Sequence, residues 1–230
     1  MSVLVQGALN GTRVALTPEA LAREARAAVD AGAGSLHVHP YRRDGRESVG
    51  AQDVAAAVAA IRAACPGVEI GVSTGAWITA DLPAAIAAWR DPLPDMASVN
   101  LCEAHHAEVM RALQARGIAI EAGISSVDDV APLVATGLAG RCRRILVEID
   151  EAEGNQAALA ASIDAALDAA GVDDVPRLHH GHAAGTWDVV REAVTHGIDV
   201  RVGLEDTTVL PDGTPVSANG PLVAAAVALL

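Results

Sequence analysis

Short apolar runs alternate along this chain with longer segments in which Leu, Val and Ile recur at helical spacing among alanines. A brief apolar run bounded by turn residues reads as a buried strand. Apolar residues at every third or fourth position read as the buried stripe of a helix. Strands are therefore predicted at 3–9, 35–39, 68–73, 96–100, 118–122, 144–149, 177–180 and 200–204. Helices are predicted at 17–30, 52–64, 79–89, 104–115, 127–135, 156–170, 187–195 and 221–229. Thr17-Pro18-Glu19 has the composition of a helix start, with Thr as N-cap, Pro in the first turn and an acid beside it. Cys65-Pro66-Gly67 and Gly117 are helix stops. Leu210-Pro211-Asp212-Gly213 is a turn after the last strand.

Eight strand–helix alternations imply a parallel sheet, because each helix carries the chain back to start the next strand in the same direction. In 230 residues they predict a (β/α)8 TIM barrel, one α/β domain spanning 1–230. A doubly wound open sheet is the alternative. It needs a glycine-rich phosphate turn after the first strand, and Gln6-Gly7-Ala8-Leu9-Asn10-Gly11 matches that fingerprint poorly.

Composition narrows the function. The formal net charge is −13 and there is no Phe and one Tyr, which disfavours a nucleic-acid surface on both charge and stacking grounds. No apolar run reaches the length of a membrane span. Cys65, Cys102 and Cys142 are odd in number and far apart, as expected of reduced thiols in a cytoplasmic protein. The first residues, Met1 to Gly7, carry neither a basic region nor a cleavage site, so no signal peptide is expected.

Active sites of such barrels lie where the C-terminal ends of the strands converge. Those positions hold Asn10, Arg13, His37, His39, Ser73, Thr74, Ser98, Asn100, Glu121, Glu148, His179, His180, His182, Glu205 and Asp206. Alternate strand residues share a face, so His37 and His39 point together, as do Arg201 and Glu205. Two imidazoles and a carboxylate form a common catalytic metal set with one position left open. The other reading of Glu205 is an internal salt bridge with Arg201. His180-Gly181-His182 has the same spacing, but its glycine points to a loop and to an outer or substrate-contact role. Asp206, beside a metal carboxylate, is a candidate general base. Ser73-Thr74-Gly75 offers hydroxyls and backbone N–H groups to an anion. Trp77 follows that turn and is a candidate to line the site. Arg42, Arg43 and Arg46 are the densest basic cluster, readable as a solvated loop or as a phosphate contact for a cosubstrate.

Taken in order, Leu9-Asn10-Gly11-Thr12-Arg13, Leu16-Thr17-Pro18-Glu19, His37-Val38-His39, Ser73-Thr74-Gly75, Val99-Asn100 and Arg201-Val202-Gly203-Leu204-Glu205-Asp206 resemble the β-keto acid cleavage enzymes, the family of 3-keto-5-aminohexanoate cleavage enzyme. Leu210-Pro211-Asp212-Gly213 and Asn219 extend the resemblance. It implies a zinc-dependent TIM barrel, a dimer or tetramer of identical chains, that turns a β-keto acid and acetyl-CoA into acetoacetate and a new acyl-CoA. By position it implies zinc on His37, His39 and Glu205, and Asp206 as the base, supported by Arg201. It implies a substrate carboxylate held by Ser73 and the Gly75 backbone, with Ser98 and Asn100 alongside. Two positions depart from the family. A glutamate of the fifth strand that supports the catalytic aspartate falls near Gly123, which leaves Glu121, two residues away on the same face, as its stand-in. Arg13 stands where the founding activity has an acidic residue, which implies a substrate with a neutral or anionic far end. Two further readings stay open: another metal-dependent barrel, such as an amidohydrolase-like hydrolase, and a non-catalytic metal-binding paralogue.

Overall fold

Eight parallel strands close into a barrel. They are β1 (Val5–Ala8), β2 (Ser35–Val38), β3 (Glu69–Ser73), β4 (Met96–Asn100), β5 (Ala119–Ile124), β6 (Arg144–Ile149), β7 (Arg177–Gly181) and β8 (Asp199–Val202). Each pairs with its sequence neighbours, and β8 pairs with β1. The helices that return the chain are α1 (Pro18–Asp30), α2 (Ala51–Ala64), α3 (Leu82–Ala87), α4 (His106–Ala115), α5 (Val130–Ala135), α6 (Gln156–Ala169), α7 (Thr186–Thr195) and α8 (Asn219–Val227). This computed structural model describes residues 3–11, 14–149 and 155–230. Among the described residues no helix is long and apolar enough to cross a membrane.

The strand pleat divides the side chains between two cores. Outward-facing Leu36, Val38, Ile70, Val72, Ile120, Ile145, Val147, Val200 and Val202 join the buried faces of the helices in one continuous apolar layer. The barrel interior is instead largely polar. Arg144 lies beside Glu121, Nε to Oε1 at 3.1 Å, and reaches Glu69 at 2.5 Å. Gln6 donates to Glu121 at 3.0 Å. Gln6, Glu121 and Arg144 are buried, and buried charges persist only when paired and hydrogen-bonded.

Most boundaries follow the sequence pattern. Thr17 caps α1 by accepting from the Ala20 N–H at 3.3 Å, with Pro18 in the first turn. The predicted helix at 79–89 shrinks to α3 because Asp81 caps it, accepting from the Ala84 N–H at 3.0 Å. The predicted strand at 200–204 ends at Val202. There the chain turns, and Gly203 lies so close to the Ala8 carbonyl that a Cβ would overlap it. Glycine is required at that crossing.

Candidate active site

β2 and the end of β1 build the histidine pair. His37 points inward by strand alternation, and His39 lies one residue beyond the strand end. Asn10 fixes the backbone there: the His39 N–H donates to Asn10 Oδ1 at 3.0 Å, and Asn10 Nδ2 donates to the His39 carbonyl at 2.9 Å. The two Nε2 atoms face each other at 3.1 Å. Glu205, carried over by the turn after β8, places Oε1 3.3 Å from His39 Nε2 and Oε2 3.7 Å from His37 Nε2.

This arrangement fits a divalent cation. Three ligand atoms converge within 4.8 Å of one another. Glu205 Oε2 is buried without a hydrogen-bond partner, and two imidazole nitrogens 3.1 Å apart need a proton or a cation between them. The rear nitrogens face carboxylates: His39 Nδ1 meets Glu47, and His37 Nδ1 lies 3.9 Å from Glu121 Oε2. Carboxylates behind metal-binding histidines fix the tautomer and ring orientation. In the metal-free protein the two rings diverge in basicity. Burial lowers His37 to about 3. Burial opposes protonation of His39 as well, but Glu205 and Glu47 outweigh it and raise His39 to about 9.

Arg201 ties this group to a second one. Its Nη2 lies 2.5 Å from Glu205 Oε1 and 2.9 Å from Asp206 Oδ1. The salt bridge read as the alternative to metal ligation is therefore present, and it engages Oε1 while Glu205 Oε2 keeps no hydrogen-bond partner. Asp206 is fully buried. Burial opposes its charge, yet Arg201 and His180 hold it below the ordinary carboxylate range, so it stays ionised at neutral pH. His180 Nδ1 is 3.4 Å and His182 Nδ1 4.0 Å from Asp206 Oδ1. Glu148, on β6, accepts at 3.0 Å from His182 Nε2. His180 belongs to β7, so Gly181 ends a strand and does not sit in a loop.

Glu121 is taken up by partners other than Asp206. It sits on β5 in register with Arg144 of β6 and pairs with Arg144 and Gln6. At about 3.3 Å per residue, position 121 lies deeper in the barrel than 123. At Gly123 itself a Cβ would meet the Asn100 amide, which fills that space. His179, counted among the inward strand ends, points outward and contacts Asp164 of α6 at 3.2 Å.

β3 and β4 supply the opposite wall. Ser73 and Ser98 are in register, and Ser73, Thr74 and Ser98 are buried. Thr74 spends its hydroxyl on the Ser98 carbonyl at 2.5 Å, and the Gly75 N–H donates to Ser73 Oγ at 3.4 Å. Asn100 donates to Glu103 Oε1 at 3.4 Å, and Glu103 Oε2 accepts from the Ala76 N–H at 3.0 Å. Burial raises the Glu103 carboxyl. Trp77 is 58% exposed. Its ring covers Gly75, where a Cβ would strike it, and its indole donates to Glu47 Oε2 at 2.8 Å. Arg42 and Arg43 line a separate cleft of about 730 Å³ with Leu16, Glu19 and Tyr41. Arg13 lies outside the described residues.

The pattern missed Glu47 and Glu103. A signal existed for Glu47: the Asp44-Gly45 turn folds the loop back, and Tyr41 bridges Glu47, which returns position 47 to the level of His39. Glu103 sits in an irregular turn and had none.

Solved structures share the architecture at low identity. A type I 3-dehydroquinate dehydratase from Clostridium difficile superposes with a TM-score of 0.63 at 9% identity, over 94% of this chain and 88% of that one. A KDPGal structure gives 0.62 at 18%, over 100% and 95%. A HpcH/HpaI aldolase/citrate lyase family protein from Burkholderia cenocepacia J2315 gives 0.55 at 17%, over 88% of each chain. These likenesses establish the TIM-barrel fold alone. The family description "beta-keto acid cleavage enzyme" (BKACE) matches residues 5–230, nearly the whole chain, and the chain belongs to that family.

Proposed function

We propose that this protein is a zinc-dependent enzyme that condenses a β-keto acid with acetyl-CoA, releasing acetoacetate and a new acyl-CoA by a retro-Claisen step. The observation that carries the reading is the convergence of His37, His39 and Glu205 within 4.8 Å beside an ionised, fully buried Asp206 held by Arg201. Zinc on those three residues would polarise the substrate ketone and stabilise negative charge developing on it.

The remaining steps belong to the chain's own side chains. Asp206 takes the proton from the carbon between ketone and carboxylate. Arg201 orients Asp206 by its 2.9 Å contact and keeps it unprotonated between turnovers. The resulting carbanion attacks the acetyl-CoA carbonyl, and the CoA thiolate leaves. The thiolate adds to the original ketone, the adjacent carbon–carbon bond breaks, and Asp206 returns its proton to the departing acetoacetate carbanion. Ser73, Ser98 and the Gly75 backbone face the carboxylate end, with Asn100 alongside. The Thr74 hydroxyl is already committed, so its contribution is to shape the turn. Glu121 acts through His37 as a positioning residue. Arg42 and Arg43 flank a cleft suited to the phosphates of CoA. Arg13 selects a neutral or anionic far end, and identical chains assemble as dimers or tetramers.

The test is a panel of β-keto acids, diacids included, with acetyl-CoA and mass-spectrometric detection of products. The expected result is equal amounts of acetoacetate and a new acyl-CoA, abolished in Asp206→Asn. Arg13→Glu should weaken turnover of anionic substrates selectively. Substrate loss without CoA would overturn the reading in favour of a hydrolase. A metal-loaded protein with no turnover across the panel would favour a non-catalytic binder.

A further inference from the structure

We propose that Glu148, His180 and His182 form a second divalent-cation site, of zinc or cobalt chemistry, on the far side of Asp206 from the first. This goes beyond the function proposed above, which uses one metal.

The second group repeats the geometry of the first. His37 and His39 have ring centroids 5.1 Å apart at an interplanar angle of 70°, and His180 and His182 have 5.0 Å and 75°. In each pair the Nε2 atoms turn toward a glutamate. For the second pair, His182 Nε2 is 3.0 Å from Glu148 Oε1 and His180 Nε2 is 3.9 Å from Glu148 Oε2. In each pair the Nδ1 atoms turn back toward carboxylates. Here a single group, Asp206, lies 3.4 Å from His180 and 4.0 Å from His182. Carboxylates behind imidazoles whose other nitrogens converge on a glutamate make a carboxylate–histidine–metal arrangement.

A hydrogen-bonded core histidine would look different. His180 is fully buried, yet neither ring nitrogen has a hydrogen-bond partner. A buried unpartnered polar group costs free energy, and a cation at Nε2 removes that cost while Asp206 accepts from Nδ1. Glu148 and His180 are register partners on adjacent strands, so the barrel itself sets their spacing. Glu148 and His182 are each partly open to solvent, which gives a cation an entry path. Glu205, Arg201 and Asp206 lie in series between the two groups. Among the described residues the two groups share no ligand, so each should fill independently.

The experiment titrates the full-length, chelator-stripped protein with Co²⁺, reading visible absorbance and bound metal by mass spectrometry after desalting. Circular dichroism verifies the fold of Glu148→Gln, His182→Ala and Glu205→Gln. The expected result is two ions per wild-type chain, one in each single variant, and none in Glu148→Gln/Glu205→Gln. One ion in the wild type, lost in Glu148→Gln and kept in Glu205→Gln, upholds this site while removing the first. One ion lost only in Glu205→Gln overturns the proposal and leaves a plain Glu148–His182 ion pair. Two ions with the second indifferent to both Glu148→Gln and His182→Ala also overturns it.

Discussion

Arg201→Met is the perturbation that most directly tests how this site is held together. The guanidinium is buried and its Nη2 touches both Glu205, at 2.5 Å, and Asp206, at 2.9 Å. At an effective dielectric near 20 these contacts are each worth about 6 to 7 kcal/mol of gross attraction. The net is smaller, because removing the guanidinium also removes its desolvation cost. Breaking a buried pair on one side typically costs about 3 to 5 kcal/mol. Here the loss leaves two carboxylates adjacent in the chain, with His39 and His180 as the nearest groups to compensate. Urea denaturation of the chelated protein followed by circular dichroism should show a loss in that range. Arg201→Met/Asp206→Asn should be more stable than Arg201→Met alone, since it removes one of the stranded charges. A loss under about 1 kcal/mol, or a double variant less stable than the single one, would refute the assignment of Arg201 as the bridge.

Glu47→Gln should weaken metal affinity about 10- to 100-fold with little change in fold, because Glu47 holds His39 Nδ1 and the Trp77 indole; competition against a zinc indicator measures it. Gly75→Ala should push the Trp77 ring off the turn and break its bond to Glu47, seen as a shift in tryptophan emission absent from Glu47-independent surface variants. The chelated protein should lose stability on both sides of an optimum near pH 6.5. His39 is raised to about 9, so its contribution, up to about 3 kcal/mol, is fully present below about 6.5 and lost as pH rises through 9. His37, lowered to about 3, gives the opposite slope, because below about pH 6.5 the unfolded chain takes up a proton that the folded one refuses. Urea midpoints from pH 5 to 10 check both arms, and a flat profile above 7 would contradict the His39 environment.

The alternation of strands and helices was legible because each strand is coated by helices on its outer face and carries Val, Ile and Leu there. The interior face was harder to read. Alternation gave the correct inward parity for His37, Glu121 and Arg201, yet parity says nothing about depth. Glu121 shares the inward face, and there Arg144 pairs with it. His179 and His180 are adjacent on one strand, so one must face out. Local sequence does not say which, and Asp164 on α6 settles it. The glycine in His180-Gly181-His182 read as a loop signal. Its position at the end of β7, packed against Gly185 and Val189, shows a close backbone approach, which calls for a glycine as strongly as a turn does.

What brings Glu205 to the histidines is a strand with no chemistry of its own. β1 lies between β8 and β2. At its end the Ala8 carbonyl accepts from the Glu205 N–H at 3.3 Å and leaves room for nothing larger than Gly203. The Leu9 carbonyl accepts from Asn219 at 2.9 Å, and that asparagine in turn accepts from the Leu204 N–H at 2.8 Å. Asn10 holds His39 from the other side. Three consecutive residues therefore fix the distance between the carboxylate and the imidazoles through main-chain contacts, without touching the side chains that converge. Arg-x-Gly-x-Glu-Asp works as a motif for the same reason: its glycine sets the crossing on β1 that makes its glutamate a neighbour of a histidine pair from the other end of the chain.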